Sequence, residues 1–153
     1  MTSPNPFTLT SAAFEDGASI PRAATCDGAD RSPALDWTGA PAGTQALVLV
    51  VIDPDAHDFV HWVAFDLGGA PDGHLADGVA ASATDPAQGR NDFGKRGYGG
   101  PCPPSGQHHY VFTLSALDRR LVIGGTPSLA DVRAAMKGHA LAETKLTGTY
   151  RRS

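Results

Sequence analysis

QALVLVVIDPDAHDFVHWVAFDL, residues 45–67, decides the architecture. Gln45 to Ile52 is continuously apolar and rich in β-branched residues, which predicts a strand buried on both faces. It runs into Asp53-Pro54-Asp55, where the missing N–H of Pro54 ends the pairing. Val60 to Leu67 (VHWVAFDL) predicts another strand, stopped by Gly68-Gly69. Outward from this centre, His108 to Leu117 alternates cleanly. Tyr110, Phe112, Leu114 and Ala116 fall on one face, and Val111, Thr113 and Ser115 on the other. Phe7 to Phe14 predicts a first strand, Leu35-Asp36-Trp37 a short one inside a turn-rich segment, and Ala140 to Tyr150 the last. One helix is expected, with Ser128 and Asp131 as a capping pair, Leu129, Val132 and Met136 on one face, and Gly138 as its stop. Between these, Ala70 to Gly106 has no sustained apolar period and reads as a long functional loop. Its end, GYGGPCPPSG (97–106), mixes backbone freedom with proline rigidity and predicts a shaped loop. The fold class is mainly β.

A chain of 153 residues predicts a single domain, 1–153, with a sizeable core. Only 18% of residues are charged, and 18 Gly with 12 Pro exclude a long coiled coil. The hydrophobic share of 41% excludes a disordered chain. With 12 Lys+Arg against 16 Asp+Glu the net charge is −4, so no nucleic-acid partner is expected. The longest apolar run, Ala46 to Ile52, is too short for a membrane span. The opening MTSPNPFTLTSAAF has neither the basic nor the apolar part of a secretory signal, so the expected compartment is the cytoplasm. In that compartment Cys26 and Cys102 are expected as reduced thiols without a catalytic role.

Polar groups gather at strand ends. Asp53 and Asp55 stand two apart at the exit of the most buried strand, so in an extended segment they face the same way. His61 opens the next strand and His108 the one after the loop, with Tyr110 on the face of His108. Amides of Gly99-Gly100 could complete an anion nest. Imidazole, phenol and free amides together describe a site for a small phosphate or carboxylate. Plainer readings compete with this. The two aspartates flanking a proline suit Asx-type turns. A histidine beside Trp62 suits a packed core residue, and Tyr110 a core phenol with a satisfied hydroxyl. Asp53, Asp55, His61 and His108 are also ligand types for zinc or iron, without a compact metal motif. Cys102 with His108 could form a nucleophile pair, but no third orienting group is evident. His57, His74 and His139 receive no role, and Lys95-Arg96 reads as a solvated pair.

TCDGADRSPALDW (25–37), VIDPDA (51–56), HW (61–62), NDFGKRGYGGPCPPSGQHHY (91–110) and LTGTYRR (146–152) occur in this order. Together they resemble the phosphatidylethanolamine-binding protein family, specifically its bacterial Raf-kinase-inhibitor-like branch. The resemblance implies a Greek-key antiparallel sheet flanked by a smaller second sheet, with one or two short helices. It also implies a small anion pocket, with Asp53 as its aspartate and Asp55 beside it. His61 and His108 would be its histidines, Tyr110 its tyrosine, and the Gly100 and Pro101 backbone its mouth. His57 stands where many relatives have proline, and the AHDFV segment (56–60) is shorter than in eukaryotic members. The longer C-terminal helix of those members has no counterpart, so kinase inhibition is not carried over. The function expected is non-enzymatic binding of a small anionic or phosphorylated ligand, or of a phosphorylated partner. No cofactor or metal is expected, and a homodimer is implied on resemblance. The alternatives are a hydrolase or lyase using the same pocket, and a kinase or protease inhibitor acting through surface loops.

Overall fold

The computed structural model of the protein describes residues 6–152. Eight strands and one α-helix follow in the order β1 (Thr8–Thr10), β2 (Leu35–Thr38), β3 (Ala46–Asp53), β4 (Phe59–Gly68), β5 (Gly73–Leu75), β6 (Ala87–Gln88), β7 (Gln107–Leu117), α1 (Leu129–Met136) and β8 (Ala140–Arg151). They form a five-stranded sheet ordered β6-β4-β3-β7-β8 and a three-stranded sheet ordered β1-β2-β5. Every pairing between strands is antiparallel. After β4 the chain runs through β5 and β6, then crosses to the other side of β3 as β7, the Greek-key step that the family resemblance implies.

The unbroken apolar run of β3 has a direct cause. Leu47, Leu49 and Val51 point into a core closed by the smaller sheet, with Trp37, Trp62, Phe112 and Leu146. Val48 and Val50 point the other way, against Val63, Phe65, Leu117 and the helix residues Leu129 and Val132. Both faces of the central strand are therefore covered. The helix starts where the capping pair put it: Asp131 N–H donates to Ser128 Oγ at 3.1 Å, and Ser128 N–H to Asp131 Oδ2 at 3.2 Å.

Four expectations change. The first strand is limited to Thr8–Thr10, because Ser11 Oγ donates to Ala34 O and accepts from Ala13 N–H, which bends the chain. The long loop contains β5 and β6, and it is organised from within. Gln88, fully buried, accepts from Trp62 Nε1 and donates to Ala80 O and Ala83 O. Arg96 is a clasp rather than a solvated side chain, donating to Ala81 O and Ala83 O. Finally, Cys26 and Cys102 are joined in a disulfide, not free thiols. The segments that carry them are zipped together by Tyr98 Oη to Ala24 O at 2.6 Å, Cys26 N to Pro101 O at 3.1 Å and Gly100 N to Asp30 Oδ1 at 2.8 Å. This zipper brings the two Cα atoms to 5.4 Å across 76 residues of sequence. It also removes Cys102 as a thiol nucleophile for His108.

Candidate functional site

The last rung between β3 and β7 pairs Ile52 with Val111, and β3 pairs Asp53 with Phe59 on β4. At this end of the sheet the chain leaves β3 through a 3-10 turn, Pro54–Ala56, with Asp53 as its cap. Asp53 Oδ1 accepts from Asp55 N–H at 2.9 Å, the Asx turn that the sequence offered as the plainer reading. The same carboxylate also holds a histidine, since its Oδ2 lies 2.6 Å from His108 Nδ1. An ionised carboxylate only accepts, so Nδ1 carries the proton and the tautomer of His108 is set. Asp53 is buried, so this pair is shielded from water.

His61 is held differently. Its Nδ1 donates to the carbonyl of Gly99 at 2.7 Å. Its ring packs edge-on against Tyr110 and Phe93, with centroids 5.1 and 5.5 Å away. Burial pushes its pKa below the ordinary imidazole range, only partly offset by the Gly99 carbonyl and the charge of Asp53. Near neutral pH it is therefore an uncharged ring with a bare Nε2. Tyr110 is 1% exposed. Burial first, then the charges of Asp53 and Asp55, hold its phenol well above the usual range, so it remains a donor. Among the described residues its hydroxyl has no hydrogen-bond partner.

Asp53, His61, His108 and Tyr110 line one cavity of about 180 Å³. The rest of its wall is largely apolar: Phe59, Phe93, Pro103 and Pro104, with Ala56 and the bridged Cys102. Among the described residues of this lining there is no lysine or arginine. Three residues expected at the site stand elsewhere. Asp55 turns out of the cavity, because the turn at Pro54 replaces the extended geometry assumed for it. Its carboxylate accepts from His109 N–H at 2.7 Å and faces His109 Nδ1 at 2.8 Å. Those bonds keep it below the ordinary carboxylate range. Gly100 and Pro101 lie behind the wall. The Gly99 amide donates to His61 O, the Gly100 amide to Asp30, and Pro101 has no N–H, so the expected amide nest is already occupied. The aromatic wall was not foreseen. Phe59 shares the face of His61 two residues earlier and was accessible from alternation, whereas nothing local marks Phe93.

The family model described as phosphatidylethanolamine-binding protein matches residues 10–151. A protein of Methanothermobacter thermautotrophicus called a UPF0098 protein is 46% identical over 151 residues, covering 92% of this chain and 95% of its own. A crystal structure of a phosphatidylethanolamine-binding protein homolog from Chlamydia trachomatis superposes with a TM-score of 0.89 at 36% identity, over 97% of this chain and 99% of that one. Escherichia coli YbcL, described as a member of the mammalian family, gives a TM-score of 0.83 at 30% identity, over 96% of this chain and 99% of its own. With the two-sheet architecture and a family match along nearly the whole length, the chain belongs to the phosphatidylethanolamine-binding protein family.

Proposed function

We propose that the protein binds a small oxyanion, either free phosphate or a phosphorylated ligand, in the cavity of Asp53, His61, His108 and Tyr110, without catalysing a reaction on it. One observation carries this reading: Tyr110, 1% exposed, presents a hydroxyl with no partner among the described residues to a cavity that also holds an oriented imidazole. The hydroxyl opens into the cavity, where an entering anion would accept its proton. His108, its Nδ1 held by Asp53, would donate from Nε2 when protonated. Such charge-assisted bonds are roughly twice as strong as neutral ones. The apolar collar of Phe59, Phe93 and the prolines lowers the local dielectric and strengthens both.

The bridged Cys102 has no free thiol to attack a ligand in the cavity. Asp55, Gly100 and Pro101 are not assigned ligand contacts. Within the family we place the chain in the bacterial Raf-kinase-inhibitor-like branch on its short segment between Asp55 and His61, without carrying over kinase inhibition. A homodimer belongs to the same proposal, and sedimentation equilibrium checks it. Among the described residues no helix is long and apolar enough to cross a membrane. The disulfide weighs against the reducing cytoplasm expected from the sequence and toward an oxidising compartment.

Titrating inorganic phosphate into isotope-labelled protein tests the site. Shifts should concentrate on His61, His108, Tyr110 and Phe93. Shifts confined to surface arginines and lysines would contradict the assignment.

A further inference from the structure

Behind the cavity wall, two loops are locked together. In the loop before β2, Ala24 O and Asp30 Oδ1 accept from Tyr98 Oη and the Gly100 amide, and Cys26 N–H donates to Pro101 O. The fit is close enough that a side chain at Gly100 would collide with Ala24 O and Asp30. The same loop is anchored to the end of β8, where Tyr150 Oη and Arg152 Nε donate to Asp27. Residues 102–106 lack such ties. Among the described residues they make no hydrogen bond. They end at Gly106, whose φ of 70° and open surroundings give the chain a pivot before β7. Pro103 is buried, but the one covalent cross-tie of the segment is the bridge from Cys102 to Cys26. Cys102, Pro103 and Pro104 are also wall residues of the cavity.

The two ends of the bridge stand in different surroundings. Cys26 is exposed on the outer loop, whereas Cys102 is half-buried and lines the cavity. Thiol–disulfide exchange needs an attacking thiolate to reach one sulfur, so access favours Cys26. We propose that the Cys26–Cys102 bridge is a thiol-exchange site that controls the cavity: a dithiol opens it, residues 102–106 come loose, and anion affinity falls. The proposal rests on the anion-binding reading above.

In the first step one thiolate of the dithiol attacks Cys26 Sγ. A new S–S bond forms as the Cys26–Cys102 bond breaks, and the electron pair leaves on Cys102 Sγ, which takes a proton from water. The second thiol of the reagent, its proton lost to water, then displaces Cys26 Sγ, which is protonated in turn. The bridge has gained two electrons and two protons, and the dithiol has become a disulfide. The hydrogen-bonded zipper still holds the outer loop against residues 97–101, while the wall at Cys102–Pro104 loses its fixed point. Asp53, His61, His108 and Tyr110 stand on β3, β4 and β7 and keep their places. A ligand must then reorder the wall as it binds, so affinity falls rather than vanishes.

The test has two parts, both on the full chain. Brief treatment with 2-mercaptoethanol, then iodoacetamide and peptide mass analysis, should find the mixed disulfide at Cys26 and the alkyl group at Cys102. The reverse placement would overturn the entry point. Calorimetric titration of inorganic phosphate then compares the oxidised protein, the protein held in dithiothreitol, and Cys26→Ser, which keeps Cys102 but cannot form the bridge. Phosphate should bind about tenfold more weakly to the latter two, the cost of reordering one or two side chains. Circular dichroism should show both still folded, and reoxidation of the wild type should restore its affinity. Equal affinity with the bridge open and closed, or unfolding of both open forms, would overturn the control of the cavity and leave the anion site standing. No phosphate binding by the oxidised protein would overturn the anion-binding reading and the control of affinity together, whatever the mass analysis finds at Cys26.

Discussion

Two histidines line the same cavity under opposite constraints, and the difference lies in what each Nδ1 touches. His108 meets a carboxylate that accepts its Nδ1 proton, whereas His61 meets a carbonyl in an apolar, aromatic surround. His61, held toward its neutral form by burial, departs from the sequence-based expectation that both histidines donate as cations. Burial lowers the folded pKa of His61, so the unfolded chain takes up its proton first as pH falls. Its contribution to stability is therefore complete above about pH 6.5 and is lost progressively below that value. Urea midpoints between about pH 7 and 5 should fall in the wild type, and less steeply in His61→Asn. Equal slopes would mean that His61 titrates normally. Asp53, His61, His108 and Tyr110 were legible as polar residues at strand ends, and they meet because β3 neighbours both β4 and β7. Asp55 and the Gly99-Gly100 amides were misread for one reason. Their partners, His109 for Asp55, His61 for the Gly99 amide and Asp30 for the Gly100 amide, lie 54, 38 and 70 residues away, beyond any local pattern.

At the scale of elements, the turn between β3 and β4 sets the rim of the cavity. After Pro54–Ala56 the chain passes through two consecutive left-handed residues, His57 at φ 55° and Asp58 at φ 58°. A proline ring holds φ near −65° and cannot adopt this conformation. The proline that the family resemblance implies at position 57 would therefore not fit this turn. His57→Pro should destabilise the fold by more than about 1 kcal/mol and shift the Ala56 and Phe59 wall. A thermal midpoint unchanged by the substitution would show that the turn is not held as described. β3, β4, β7, β8 and the helix were readable from periodicity and capping. β5 and β6 were not, since three and two residues give no period, and partners distant in sequence rather than β-pattern hold them.

For the whole molecule, the Cys26–Cys102 bridge ties the segment before β2 to the wall of the cavity. Two cysteines 76 residues apart carry no sign in the sequence that they meet, so the pairing follows only from the fold. Closing so long a loop restricts the unfolded chain, and the Cys26→Ser/Cys102→Ser double variant should lose about 4 kcal/mol of stability. Denaturant midpoints with and without a reductant check this, and a wild type insensitive to reduction would contradict a structural bridge. The central claim, however, concerns the unpartnered hydroxyl of Tyr110. Tyr110→Phe removes one oxygen from a ring whose packing against His61 and the core is otherwise retained. Calorimetric titration of inorganic phosphate into the wild type and Tyr110→Phe tests the claim most directly. The account predicts one site per chain in the wild type, binding weakened by about tenfold in the variant, and thermal midpoints that agree. Equal phosphate affinity in the two proteins would contradict it.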